Sequence, residues 1–125
     1  MKGEHVAEYT VIDVEELEGE GPDGRIRKVR RALGAHAFGL NLFRLPPGAE
    51  GLEHDHADAG QEEVYFVLEG SGVLRVGGEE VELRRGVVVR VSPEATRMLV
   101  AGPEGLAYLA IGAPLDRAYE PPNWG

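Results

Sequence analysis

The chain has 125 residues, enough for one domain and one core. It carries 13 Lys and Arg against 22 Asp and Glu, a formal net charge of −9, so its long-range field disfavours nucleic acid and anionic membranes as partners. With no cysteine, disulfides, thiol catalysis and thiolate metal sites are excluded, which leaves imidazole, carboxylate and carbonyl donors for any metal.

In chain order, MKGEHVAEYT lacks the apolar centre of a signal peptide, and the longest uncharged apolar stretch, LAYLAIGAPL from Leu106, is too short to span a bilayer. The expected location is the cytoplasm. RIRKVRRAL, with Ile26, Val29 and Leu33 at spacings of three and four, is read as a polar edge strand, with a short helix as the alternative. It holds five basic residues between Arg25 and Arg31, while the first 23 residues hold eight acids. A solvated strand whose charges offset the acidic arm and guard an edge explains this pattern better than an anion-binding patch does.

Eighteen Gly and eight Pro then punctuate the chain at nearly regular intervals. HAFGLNLFRL runs from His36 to Pro46-Pro47-Gly48, and EVYFVLEG runs from Glu63 to a turn at Gly70-Ser71-Gly72. GVLRV and EEVEL meet across Gly77-Gly78, a two-residue hairpin signal. VVVRV lies between Arg85-Gly86 and Ser92-Pro93, and GLAYLAIG follows Gly102-Pro103. Short strands rich in Val, Tyr, Phe and Ile with turns every eight to twelve residues indicate an all-β sandwich or barrel. His5 falls in an arm and His36 at a strand start, neither suggesting a site. The tail YEPPNWG carries the sole tryptophan, which packs back on the barrel or serves as a lid.

The chemistry concentrates in LEHDHADAGQEEVYFVLEGSG, from Leu52 to Gly72. In a strand, residues i and i+2 share a face, so His54 and His56 point one way and Glu53 and Asp55 the other. Two adjacent imidazoles can hold one cation, and a carboxylate from the next strand completes a two-His, one-carboxylate face with open positions. The other reading is a polar strand pair satisfied by its neighbours.

Gly48, five residues, His54-Asp55-His56, then Glu63, six residues and Gly70, with PPG before and VLEGSG after, resembles the first motif of the cupin superfamily. The resemblance covers roughly residues 36 to 112. It implies a single antiparallel double-stranded β-helix, the cupin-like jelly-roll barrel, as one domain over 1–125: an arm at 1–35, the barrel at 36–112 and a tail at 113–125. It implies a metal held by His54, His56 and Glu63, with Fe, Mn, Zn or Ni as candidates. Glu62 and Glu63 must point to opposite faces, and the spacing to Gly70 selects Glu63, which puts Tyr65 and Val67 beside it in the cavity. Val64, Phe66 and Leu68 then form an apolar outer face that needs cover, from a second subunit in a homodimer or from residues 6–14 and the tail. Cupins commonly dimerise through such a sheet.

The second motif departs from the family. GVVVRVSPEATRMLV has the Gly, the strand and Pro93, but Arg97 stands where the last histidine ligand belongs. The loop between His56 and Glu63 is also longer than in the family pattern. A guanidinium has no lone pair to give a metal. Arg97 therefore pairs with Glu63 in place of a metal, or presents its fork with Tyr65 to a small anionic ligand, or lies out of register in solvent. Three functions follow: a metal-dependent dioxygenase, isomerase or lyase acting on a small organic anion; a metal-free barrel that binds or senses an anion; and a structural or regulatory protein without chemistry. The fold alone does not choose among them.

Overall fold

Paired glycines set the first hairpin. Gly77 and Gly78 both take positive φ, 57° and 81°, the backbone that a two-residue turn between twisted strands requires, and across them Val76 faces Glu79. The structure, a computed structural model, describes residues 8–124; His5 lies outside them. In chain order the elements are β1 (Ile26–Arg27), α1 (Val29–Leu33), β2 (Gly39–Leu45), β3 (Gln61–Val76), β4 (Glu79–Arg84), β5 (Val88–Val91) and β6 (Arg97–Pro114), with two short 3₁₀ turns before β1. All pairings are antiparallel, in the order β1-β2-β6-β3-β4, with β5 also on β3. Among the described residues no helix is long and apolar enough to cross a membrane.

The expected turns at Gly70-Ser71-Gly72 and Gly102-Pro103 are instead irregularities inside two long strands. β3 and β6 pair along most of their lengths, with register shifts between Val67 and Glu69 and between Gly70 and Gly72. Such bulges bend a strand without ending it. Gly70 and Gly105 sit there with φ near 80°, and a side chain on Gly105 would meet the Leu45 carbonyl at 2.9 Å. Pro103 falls in a stretch with no partner on β3, so its missing N–H costs no ladder bond. The outer half of β3 pairs with β5 and the end of β6, and the inner half with β4 and the start of β6. Two bent strands thus build both walls of a jelly-roll barrel.

The segment read as an edge strand is mostly helix. Only Ile26 and Arg27 pair with β2; the chain then turns into α1. Gly34 in the left-handed region ends the helix, and its N–H donates to the carbonyls of Arg30 and Arg31. The three-and-four spacing wins because it places Val29, 8% exposed, against β2. Nor is the basic run simply solvated, since Lys28 and Arg30 are each 9% exposed and donate to the carbonyls of Trp124 and Ala35. β2 begins at Gly39, leaving His36 in the preceding loop.

Alternation fills the barrel. Leu45, Val67, Leu74, Leu83, Leu99 and Leu106 are 3% exposed or less and form the core with Tyr65 and Tyr108. Phe43 stacks on Tyr108 at 5.1 Å between ring centroids, and Tyr108 meets Tyr65 edge-on at 5.7 Å, geometries favoured by the aromatic quadrupole.

Candidate metal centre

His54 and His56 lie on the β2–β3 connection, which is not a strand as alternation implied. His54 forms a single two-way bridge with Arg97, its N–H donating to the Arg97 carbonyl at 3.0 Å and its carbonyl accepting from Arg97 at 2.9 Å. The N–H of His56 donates to Pro93 at 2.8 Å. Between them Asp55 turns outward and accepts from Ala57. The chain from Pro93 to Arg97 thereby holds the backbone of both histidines, and their rings meet at 4.9 Å, edge to face.

Glu63 enters from β3, facing Gly112 on one side and Val91 on the other, and is 9% exposed. Its Oε1 is the hub of the site. The Tyr65 hydroxyl donates to it, Arg97 Nη2 donates at 3.1 Å, and the Nε2 atoms of His56 and His54 lie 3.3 Å and 3.7 Å away. His54, His56 and Glu63 each offer a donor atom within 4.8 Å of the others. Donors sharing one metal at ~2.1 Å lie about 3.0–3.4 Å apart, so the cluster needs only a small contraction.

Two further details suit a cation. His54 Nδ1 lies 2.9 Å from the Leu52 carbonyl; donating its proton there leaves the Nε2 lone pair aimed at the cluster, as outer hydrogen bonds do for metal-bound histidines. His56 Nε2 is buried and makes no well-formed hydrogen bond, facing Glu63 Oε1 at 3.3 Å, a position from which both could share one cation.

Arg97 opposes that cation. Its side chain is fully buried. Nε donates to the Tyr65 hydroxyl at 3.2 Å, Nη1 to the carbonyls of Ala95 and Ser92 at 2.6 and 3.3 Å, and Nη2 to Glu63. Tyr65, 2% exposed, thus joins Arg97 to Glu63. Burial alone would raise the Glu63 carboxyl, but the imidazoles of His54 and His56 and the Tyr65 hydroxyl together hold it far below the usual carboxylate range. Glu63 in turn raises the His54 imidazole above its ordinary value, against the lowering that burial causes. Burial and Glu63 push the Tyr65 phenol far up, so it stays protonated and acts as a donor.

The same wall carries residues that the sequence reading did not single out. Asn41 on β2 faces Ala110, which faces Tyr65, so Asn41 shares the interior face. Its Oδ1 is buried without a partner. The signal was the alternation of Asn41 with Phe43 and Leu45 inside an apolar strand. Tyr108 was legible in the same way from GLAYLAIG. An open depression of about 460 Å³ lies at the bulge in the middle of β3, lined by Arg44, Glu69 and Glu104 among others and by none of the histidines.

An antiparallel jelly-roll barrel with two histidines and a glutamate converging inside it is the cupin arrangement. The cupin domain family matches residues 41–111, more than half of the chain, and the chain belongs to that family. Over 69 residues it is 36% identical to the dimethylsulfoniopropionate lyase DddW of Ruegeria pomeroyi, covering 55% of this chain and 43% of that protein. Over 50 residues it is 32% identical to an uncharacterized protein of Methanocaldococcus jannaschii, covering 40% and 38%. The chain thus covers less than half the length of these relatives. Among solved structures, a cupin protein from Bacteroides fragilis shares the fold at a TM-score of 0.74 and 22% identity, over 94% of this chain and 93% of that one. A sugar phosphate isomerase of the cupin superfamily from Silicibacter pomeroyi matches at 0.70 and 27% identity, over 82% and 74%.

Proposed function

We propose that the protein is a metal-dependent cupin enzyme of the lyase or isomerase kind, acting on a small organic anion with a divalent ion held by His54, His56 and Glu63. The observation that carries this reading is the convergence of His54, His56 and Glu63, whose donor atoms all lie within 4.8 Å of one another, with the buried Nε2 of His56 facing Glu63 Oε1 at 3.3 Å without a hydrogen bond. When bound, the ion supplies Lewis acidity toward an oxygen of the substrate. The chain's residues do the rest. Arg97 and Tyr65 fix Glu63, and Arg97 keeps a second positive charge in the site. With Glu63 ionised, a divalent ion and Arg97 leave a local excess of positive charge in an otherwise acidic protein, which favours an anion. The full burial of Arg97 supports a role through its charge and through Glu63 rather than by direct contact with substrate. The compounds in the names of two relatives, a dimethylsulfoniopropionate lyase and a sugar phosphate isomerase, each carry an anionic group, a carboxylate in one and a phosphate in the other.

A second reading has its own support. Arg97 already neutralises Glu63 at 3.1 Å, and a unit charge at ~4 Å opposes an incoming cation by about 4 kcal/mol at an effective dielectric near 20. A metal-free, anion-binding barrel follows if that opposition wins. Calorimetric titration of Mn²⁺ and Zn²⁺ decides between them. The enzyme reading expects saturable binding by the parent, loss in His54→Ala, and about 10–100-fold tighter binding in Arg97→His, which exchanges a repelling cation for a neutral donor. No binding by the parent, or equal binding by His54→Ala, would sink it.

The same proposal includes a homodimer through the outer face of β3. What supports it is the exposure of Phe66, 39%, and of Val88, 58%, cross-strand partners on that face.

A further inference from the structure

After β6 the chain is held at four places, while the side chains of His54 and His56 stay 29% and 25% exposed. The Leu115 N–H donates to the Gly60 carbonyl at 3.1 Å, and the Arg117 guanidinium donates to Ala59, both acceptors lying in the long loop between His56 and Glu63. The Tyr119 hydroxyl then comes within 3.1 Å of where a Cβ would stand on Gly39. Finally the Trp124 carbonyl accepts from Lys28 and, at 2.8 Å, from Arg31, while the Lys28 ammonium sits 5.1 Å from the centroid of the Trp124 ring.

The third contact decides what this segment covers. Gly39 faces Gly112, and Gly112 faces Glu63. Directly paired residues present the same face of a sheet, so the bare positions of Gly39 and Gly112 lie on the interior face with Glu63. Tyr119 is seated over Gly39, whose backbone lies two strands and thus about 10 Å from that of Glu63, while the Gln61 side chain packs over Gly112. Asn41, one step further along this face of β2, turns an unpartnered Oδ1 into the same space. The path runs from the loop beside His56, over β2, to the start of α1.

We propose that residues 115–124 form a strap that gates His54 and His56, with Tyr119 as its cover over the interior and Lys28 and Arg31 as its latch. This rests on reading the His54–Glu63 end as the place of ligand entry, and it holds whether or not a metal binds there. It also bears on the buried lysine of the basic run, which meets a carbonyl and an aromatic face of the strap as well as the Glu20 carboxylate at 3.8 Å. The anchors at Leu115 and Arg117 are single hydrogen bonds, and the one at Trp124 is two hydrogen bonds and a cation–π contact. Leu115 and Trp124 are each 65% exposed, so the strap buries little apolar surface of its own. Local opening without unfolding of the barrel is therefore expected.

The test needs neither metal nor substrate. Metal-free protein is treated with diethyl pyrocarbonate at fixed pH, and carbethoxylation of each histidine is followed by mass spectrometry, with the exposed His36 as internal reference. Lys28→Met opens the latch, Tyr119→Ala removes the cover, and Gly39→Val fills the seat of Tyr119. Each should raise the rates at His54 and His56 about five- to ten-fold over the parent with His36 unchanged. Unchanged rates at His54 and His56 in both Lys28→Met and Tyr119→Ala overturn the proposal. If one variant fails to fold, by circular dichroism, the others carry the test. Failure of the parent to bind Mn²⁺ would remove the metal reading and leave this result standing.

Discussion

The two halves of β3 solve opposite problems with one backbone. From Gln61 to Val67 its interior face carries Glu63 and Tyr65, joined to Arg97; beyond the bulge it carries Leu74, fully buried against other hydrocarbon. The apolar half stabilises the fold through area removed from water. The polar half brings a carboxylate and a guanidinium out of water, and it is tolerable only because each satisfies the other. The difference teaches that stability and chemistry are separable along a single strand, with the bulge at Val67–Gly72 as the boundary.

The comparison breaks most visibly if one member of the ion pair is removed. Glu63→Leu leaves Arg97 charged and uncompensated and should destabilise the metal-free barrel by about 3–5 kcal/mol, read by urea denaturation. Glu63→Leu combined with Arg97→Met should recover most of that loss. A double variant as unstable as the sum of the singles would mean that the two residues do not act as a pair. Leu74→Ala should cost about 2–5 kcal/mol through the cavity it leaves, yet change Mn²⁺ affinity less than two-fold. A large change there would show that the halves are coupled after all.

A smaller effect comes from pH. The Glu63 carboxyl is held well below its reference value of 4.5, so its contribution to stability is fully present above that value and is lost as pH falls through the folded-state value. The stability gap between the metal-free parent and Glu63→Gln should therefore narrow on acidification below about pH 4.5. The His54 imidazole is raised above 6.5, so its contribution is present below pH 6.5 and fades as pH rises through the folded value. His54→Gln should abolish that alkaline decline. The smallest perturbation to the barrel itself is Phe66→Asp on the outer face. The parent should scatter light as two chains of 13.5 kDa, and the variant as one, with the thermal transition of the barrel little altered.

Spacing and alternation were enough to announce an all-β barrel, and with the resemblance to the cupin motif they brought His54, His56 and Glu63 together and put Tyr65 and Val67 on the inside. Those features depend on local rules: glycine and proline punctuation, the period of two along strands, and a fixed ligand spacing. What alternation could not determine was the length of β3 and β6, because a glycine that ends one strand merely bends another, and only the partner strand across Gly70 and Gly105 distinguishes the cases. Nor could it place Arg97, whose options were pairing, substrate contact or solvent. Its burial follows from the bridge to His54 and from two carbonyls of its own turn, contacts made only once the chain entering β6 lies against the β2–β3 connection. The basic run and the tail were likewise separate and ambiguous in the sequence. They acquired meaning together, because Lys28 and Trp124 lie 96 positions apart and meet only when the barrel has closed.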